Sequence, residues 1–310
     1  TAARDAVRSG RLVKAVIARD IVVEASSPID VHALLRRLQV SFGSSYRYSI
    51  DSFVGASPEL LVARDGDVVT SHPLAGTTPR TGDPVTDARL ASALRASEKN
   101  QIEHRVVIDM VHDTLLPWCS FLDWQPEPSI VAVANVQHLG TEISGQLSEP
   151  RPSVLELAYA LSPTPALGGA PKKDALEQIA RVEGMNRGRY GGAVGYVNKS
   201  GEGKFAVAIR CAELDSTRMT ARLFAGGGIV GLLEFPEQTG LLFGRQAHAG
   251  VGDLKAQGLG TVGVGGQPPH DHVDVALVGE LDGVVEVVDQ DLAEALWVAA
   301  VAGRHVGLDP

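Results

Sequence analysis

Between residues 12 and 231 the apolar positions follow two rhythms. Alternation with period two marks Leu12–Arg19, where Leu12, Lys14, Val16 and Ala18 share one strand face. Helical spacing marks Ile29–Leu38, with Val31, Leu34, Leu35 and Leu38 on one stripe. Tyr46–Val54 and Leu60–Arg64 read as strands flanking a turn at Gly55-Ala56-Ser57-Pro58. Asp65-Gly66-Asp67 reads as a hairpin turn into Val68-Val69-Thr70. Asp87–Leu116 is the longest helical stretch and reads as one helix stopped by Pro117. Shorter helices are expected at Ala2–Ser9, Val154–Leu161 and Lys173–Val182. Further strands are expected at Ile130–Val136, Thr141–Leu147, Gly192–Val197, Lys204–Cys211 and Met219–Phe224. Strand pairs separated by helices predict an α+β fold with antiparallel sheets, not a βαβ repeat.

The rhythm fades after Gly231. Leu232–Pro310 holds 13 glycines and short Val-rich runs, with a helix expected at Asp291–Val301. It carries 12 acidic residues against 3 Lys and Arg, while the remaining 25 acids and 25 bases of the chain cancel. The whole net charge of −9 therefore belongs to this last quarter. Two units are expected: a body over 1–231 and an atypical, Gly/Val-rich acidic extension over 232–310.

Composition changes this picture little. At 310 residues, 44% hydrophobic and 21% charged, the chain has globular proportions. No apolar run approaches the roughly 18–20 residues that span a bilayer. No basic stripe points to nucleic acid. Two cysteines, Cys119 and Cys211, give neither a disulfide framework nor zinc spacing. A cytoplasmic protein without nucleic-acid or membrane partners is expected, with monomer as the default state.

The candidate chemistry starts at Lys14, the one charge on an otherwise apolar strand face. An ammonium held there loses hydration, its pKa tends to fall, and it can serve as a general base. The alternative is a stem that snorkels to water, as most lysines do. Glu59 follows the turn Ser57-Pro58, a common surface arrangement. Its interest is as a partner for Lys14, since a base and a protonated acid on opposite sides of a ring could add at one carbon and expel a group from another. Glu98–His104 is a solvated helix face of Glu-Lys pairs or places a carboxylate for Mg2+. His72–Arg80 reads as a tight loop able to bring amides to an anion, and His138 and Thr141 lie near a strand start. Arg210 sits in the expected strand Val207–Cys211, a surface residue or, beside small Ala206 and Ala208, a bidentate carboxylate binder. Gly226–Gly231 matches G-x-G-x-x-G, but Pro236 and Gly240 interrupt the helix a dinucleotide needs, so a loop admitting a carboxylate is the better reading. His270-Asp271-His272 reads as solvated.

The order of these segments carries more than any one of them. Lys14-Ala15-Val16-Ile17-Ala18-Arg19, Gly55–Leu61, Pro73–Thr77, Lys99–His104, His138–Thr141, Ser162–Pro171, Arg189–Tyr196, Ile209–Ala212 and Ala225–Ile229 follow the order found in chorismate-utilising enzymes. Over about Thr1–Val230 the chain resembles the isochorismate synthases, of the kind serving menaquinone or siderophore synthesis. The resemblance implies two packed antiparallel sheets flanked by helices, chorismate as substrate and Mg2+ as cofactor. It implies that Lys14 activates water for attack at C2, that Glu59 protonates the departing C4 hydroxyl, and that Glu103 binds the metal. Gly76, Thr77, Thr141, Tyr190, Arg210, Gly226 and Gly228 match substrate-site positions, and His138 one more prominent in relatives that eliminate pyruvate. Lys14 stands where ammonia-using members carry glutamine, and Ala75 where aminodeoxychorismate synthases often carry lysine. Ser162–Gly169 is closer to isochorismate than to salicylate synthases, although the latter share the lysine and remain an alternative.

Two departures add expectations. Full-length relatives carry a further N-terminal segment before the position of Thr1. After the glycine stretch the family continues with an Asp-Pro turn and a helix bearing two glutamates and a lysine. Here Gly231-Leu232-Leu233-Glu234-Phe235-Pro236-Glu237 follows, and Pro236 argues against that helix. The chain after about Val230 is thus expected to be out of frame or a foreign extension, which translating the other reading frames tests. An impaired homologue or fragment that only binds ligand is the corresponding second function.

Overall fold

The computed structural model describes residues 2–230 and three two-residue strands at Val262–Gly263, Glu280–Leu281 and Val284–Val285. The expectations for 232–310, including the helix at Asp291–Val301 and the reading of His270-Asp271-His272, otherwise lie outside the described residues. In chain order the body runs α1 (Ala2–Arg8), β1 (Lys14–Glu24), α2 (Val31–Ser41), β2 (Tyr46–Ile50), β3 (Phe53–Ser57), β4 (Leu60–Asp65), β5 (Val68–His72) and β6 (Leu74–Pro79). It continues with α3 (Pro84–Ala96), α4 (Glu98–Leu115), β7 (Cys119–Trp124), β8 (Ser129–Ala132), β9 (Val136–Gly140), β10 (Ile143–Leu147) and α5 (Val154–Leu161). It closes with β11 (Gly169–Ala170), α6 (Lys172–Val182), β12 (Ala193–Val197), β13 (Gly203–Val207), β14 (Cys211–Leu214) and β15 (Thr220–Val230).

The fold is α+β, built on antiparallel sheets. One sheet has the order β11-β1-β15-β14-β3-β2, a second β12-β13-β4-β5-β10-β7, and a small third β6-β9-β8. Ala18, Phe53, Cys211 and Phe224 of the first sheet share a buried cluster with Val194 and Ala206 of the second. The stripe of α2 does what its spacing predicts: Leu34 and Leu38 pack on Val54, Ala56 and Leu223. Asp30 caps that helix, accepting from the His32 amide at 2.9 Å. Val107, Val111 and Leu115 of α4 pack with Leu157 and Leu161 of α5 against Leu61, Val62 and Val69. Each such side chain contributes roughly 1.5–3 kcal/mol by leaving water.

Several boundaries differ from the sequence reading, each for a local reason. The long helix over Asp87–Leu116 is two helices, because Ser97 ends α3 and caps α4, accepting from the Asn100 amide. Tyr46–Val54 is a hairpin, turned at Asp51 with φ 53°, and the expected turn at Gly55–Pro58 is mostly strand β3. Ile130–Val136 divides into β8 and the start of β9, joined through residues 133–135. Three expected features near the cavity also change. His72–Arg80 is largely strand β6, Gly226–Val230 is the end of β15 and not a loop, and Arg210 lies in a bend between β13 and β14 with φ 50°.

Candidate active site

Lys14 opens β1, and its side chain is 1% exposed. Its Nζ lies 2.9 Å from Oε1 of Glu103, which reaches across from α4. The lysine therefore does not snorkel; an ion pair holds it inside. The β1–β15 register sets Val16 opposite Gly228 and Ala18 opposite Gly226, so both glycines share the Lys14 face. A Cβ at Gly228 would stand 2.5 Å from Oε1 of Glu103 and 3.4 Å from Cε of Lys14. One at Gly226 would stand 3.0 Å from Cβ of Ala18 and 3.1 Å from the Tyr190 hydroxyl. The missing side chains make room for the ion pair and for the space beside it.

Glu59 sits between β3 and β4 and is 3% exposed. Burial pushes its carboxyl up to about 8, against the lowering pull of the Leu74 amide and the Lys14 charge. Its Oε1 has no hydrogen-bond partner among the described residues. A neutral acid fits this environment at pH 7, where a charge would be left unpaired.

The opposite wall comes from β6, β9 and the Arg210 bend. The β6–β9 register shifts between Ala75 and Thr77, and Gly76 absorbs the shift at φ 74°. Arg210 Nη2 lies 3.0 Å from His138 Nε2. A guanidinium can only donate, so Nε2 accepts and Nδ1 carries the ring proton. That Nδ1 lies 3.1 Å from Thr77 Oγ1 and 3.3 Å from the Gly76 carbonyl. Burial, then the Arg210 charge, pulls His138 down to about 3, so the ring stays neutral. Arg210 also lies over the Phe42 ring, 5.6 Å from its centroid.

These groups surround a cavity of about 490 Å3, a size suited to a small ligand. Lys14, Glu59, Gly76, Thr77, Glu103, His138, Tyr190, Arg210, Gly226 and Gly228 all line it. Thr141 is not among the lining residues; its Oγ1 lies 2.8 Å from Nε2 of the buried His104. Burial, and then Lys14, pulls His104 down to about 4, so it sits as a neutral ring behind the wall. Lys99 and Asn100 line the same cavity from the first turn of α4. Their spacing from Glu103 was the available signal, since residues i and i+4 share a helix face. Tyr190 stacks on Phe224 with centroids 4.9 Å apart and an interplanar angle of 5°. Glu183 and Arg187, a partly buried pair beside this stack, had no signal beyond their own four-residue spacing.

Among the described residues no three His, Cys, Asp or Glu side chains converge on a metal site. Glu103, 14% exposed, is the cavity carboxylate placed to meet a cation. No described helix is long and apolar enough to cross a membrane.

Comparison with known proteins identifies relatives of the chain. The family model described as "Chorismate binding enzyme" matches residues 1–232. A Mycobacterium tuberculosis (strain ATCC 25618 / H37Rv) protein bearing the name MenF is 45% identical over 241 residues, covering 74% of this chain and 64% of that protein. Isochorismate synthase DhbC of Bacillus subtilis (strain 168) is 40% identical over 235 residues, covering 72% of this chain and 58% of that protein. The solved structure of MenF, the menaquinone-specific isochorismate synthase from Escherichia coli, superposes with a TM-score of 0.67 at 30% identity, covering 74% of this chain and 53% of that one. The chain thus spans less than two thirds of the length of these relatives. It belongs to the family of chorismate-binding enzymes.

Proposed function

We propose that the protein isomerises chorismate to isochorismate. The observation that carries this reading is a neutral, buried acid, Glu59, lining one cavity with a buried amine, Lys14. The relatives named isochorismate synthase support it. Lys14, ion-paired with Glu103 while protonated, must first shed that proton; as the free amine it takes a proton from water as the water oxygen bonds to C2. Both conjugated ring double bonds shift by one position, the C4–O bond breaks, and Glu59 gives its proton to the departing hydroxyl, which leaves as water. One water enters and one leaves, so composition is unchanged. Arg210, with its guanidinium at the cavity wall, offers a planar donor set to a substrate carboxylate.

Mg2+ belongs to this proposal. It takes oxygen ligands, often one or two carboxylates with substrate oxygens and retained waters, and Glu103 supplies one such carboxylate. When bound it would neutralise charge on the substrate carboxylate. Incubating the protein with chorismate and Mg2+ and separating the products tests the reading. Isochorismate is expected. Salicylate with pyruvate would instead assign the salicylate branch, for which His138 is the relevant wall residue. A second reading, ligand binding without turnover, is favoured by the lack, among the described residues, of three His, Cys, Asp or Glu side chains converging on a metal site. It predicts chorismate binding with neither product.

A further inference from the structure

The edge of β1 away from β15 is paired by short strands at its two ends, β11 at Lys14–Ala15 and Val262–Gly263 at Val23–Glu24, and between them side chains complete part of it. β11 pairs with β1 only at Lys14 and Ala15, and the Val16 amide donates to the Gly168 carbonyl at 2.9 Å. The next two ladder bonds are not made by backbone. Arg187 Nη2 donates to the Val16 carbonyl at 2.8 Å, and the Ala18 amide donates to Oε1 of Glu183 at 2.7 Å. Glu183 and Arg187 are themselves ion-paired, with side chains 2% and 16% exposed. The same guanidinium donates through Nη1 to the Leu167 carbonyl at 2.7 Å. It also lies 5.7 Å from the Tyr190 ring centroid. Val16, Leu167 and Tyr190 line the cavity, whereas neither Glu183 nor Arg187 does.

We propose that Glu183 and Arg187 form a positioning pair that fixes the β1, Leu167 and Tyr190 walls of the cavity relative to one another. This rests on the reading that chorismate occupies that cavity. The chemistry favours arginine: its rigid planar fork can meet two carbonyls and a carboxylate at once, which a lysine point charge cannot do in the same directions. The pair is largely shielded from water, so its bonds hold their geometry more strictly than a surface ion pair does. Its effect reaches the ligand only through the residues it holds.

The test uses the full chain as wild type, Arg187→Lys, Glu183→Gln and Val62→Ala. The last is a buried core residue of the second sheet that does not itself line the cavity, and it controls for lost stability. Calorimetric titration with chorismate, at a temperature where all four are folded, should show at least tenfold weaker binding for Arg187→Lys. Glu183→Gln should weaken binding in the same direction, and Val62→Ala should stay within twofold of wild type despite a lower Tm. Without ligand, exchange of the Ala18 amide should speed at least tenfold in Arg187→Lys while exchange at Val69 is unchanged. Arg187→Lys binding like wild type, Val62→Ala weakening binding equally, or an unchanged Ala18 amide would each overturn the proposal. A wild type that binds chorismate and forms no isochorismate removes the enzymatic reading and leaves the pair's role standing.

Discussion

Glu59 and Lys14 face one cavity but are kept there by opposite means. Lys14 is buried with a countercharge 2.9 Å away, whereas for Glu59 burial outweighs the pull of the Lys14 charge and holds the carboxyl neutral instead. If Glu59 is the acid, turnover requires its protonated form and should fall as pH rises through about 8. Glu59→Gln should lower kcat by roughly 100-fold or more with little change in KM, measured by isochorismate formation. Glu59 also makes a stability prediction. Below its ordinary value of 4.5 both folded and unfolded chains hold the proton, and between there and about 8 only the folded chain does. The unfolded state therefore binds fewer protons in that window, and stability falls as pH rises through it. Tm measured from pH 5 to 8 should decline less steeply in Glu59→Gln than in wild type. Lys14→Gln should abolish water addition, but it also leaves Glu103 without its charge partner. Some loss of Tm should accompany the loss of turnover.

Elements carry these residues, and two of them set the geometry. Ser97 begins α4, which presents Lys99, Asn100 and Glu103 to the cavity. Ser97→Ala should cost about 0.5–2 kcal/mol in urea unfolding through loss of the cap. The eleven-residue ladder of β1 with β15 sets Gly228 against the Lys14–Glu103 pair. Gly228→Ala should cost roughly 1–3 kcal/mol, because the added methyl has no space unless the pair moves. Periodicity revealed most elements, since α2, α5 and α6 each bury one regular face. It failed where one residue breaks a continuous pattern. Ser97 interrupts a helical run without disturbing its spacing, and Asp51 turns a hairpin with no glycine to mark it. Arg210 leaves the strand pattern through a positive φ that its side-chain type does not announce.

At the scale of the molecule, the cavity draws on β1 and β15 of the first sheet, β6 and β9 of the third, the Glu59 connection and α4. Residues 14, 59, 103, 138, 190 and 210 are far apart in the chain and meet because antiparallel pairing brings these segments together. No periodicity shows such convergence; the ordered succession of motifs made the family legible. The Glu183–Arg187 pair lacked even that, because its partners are backbone atoms of Val16, Ala18 and Leu167, whose identity leaves no trace in the side-chain pattern. The glycines at 226 and 228 have a consequence for how the protein can change. The space beside Lys14 exists because two side chains are absent, so on this face the cavity has no atoms left to trim. Selection for a bulkier or smaller ligand must act on other walls. In a saturation library sorted for retained activity, codons 226 and 228 should return glycine almost alone, while variation accumulates across the cavity from them.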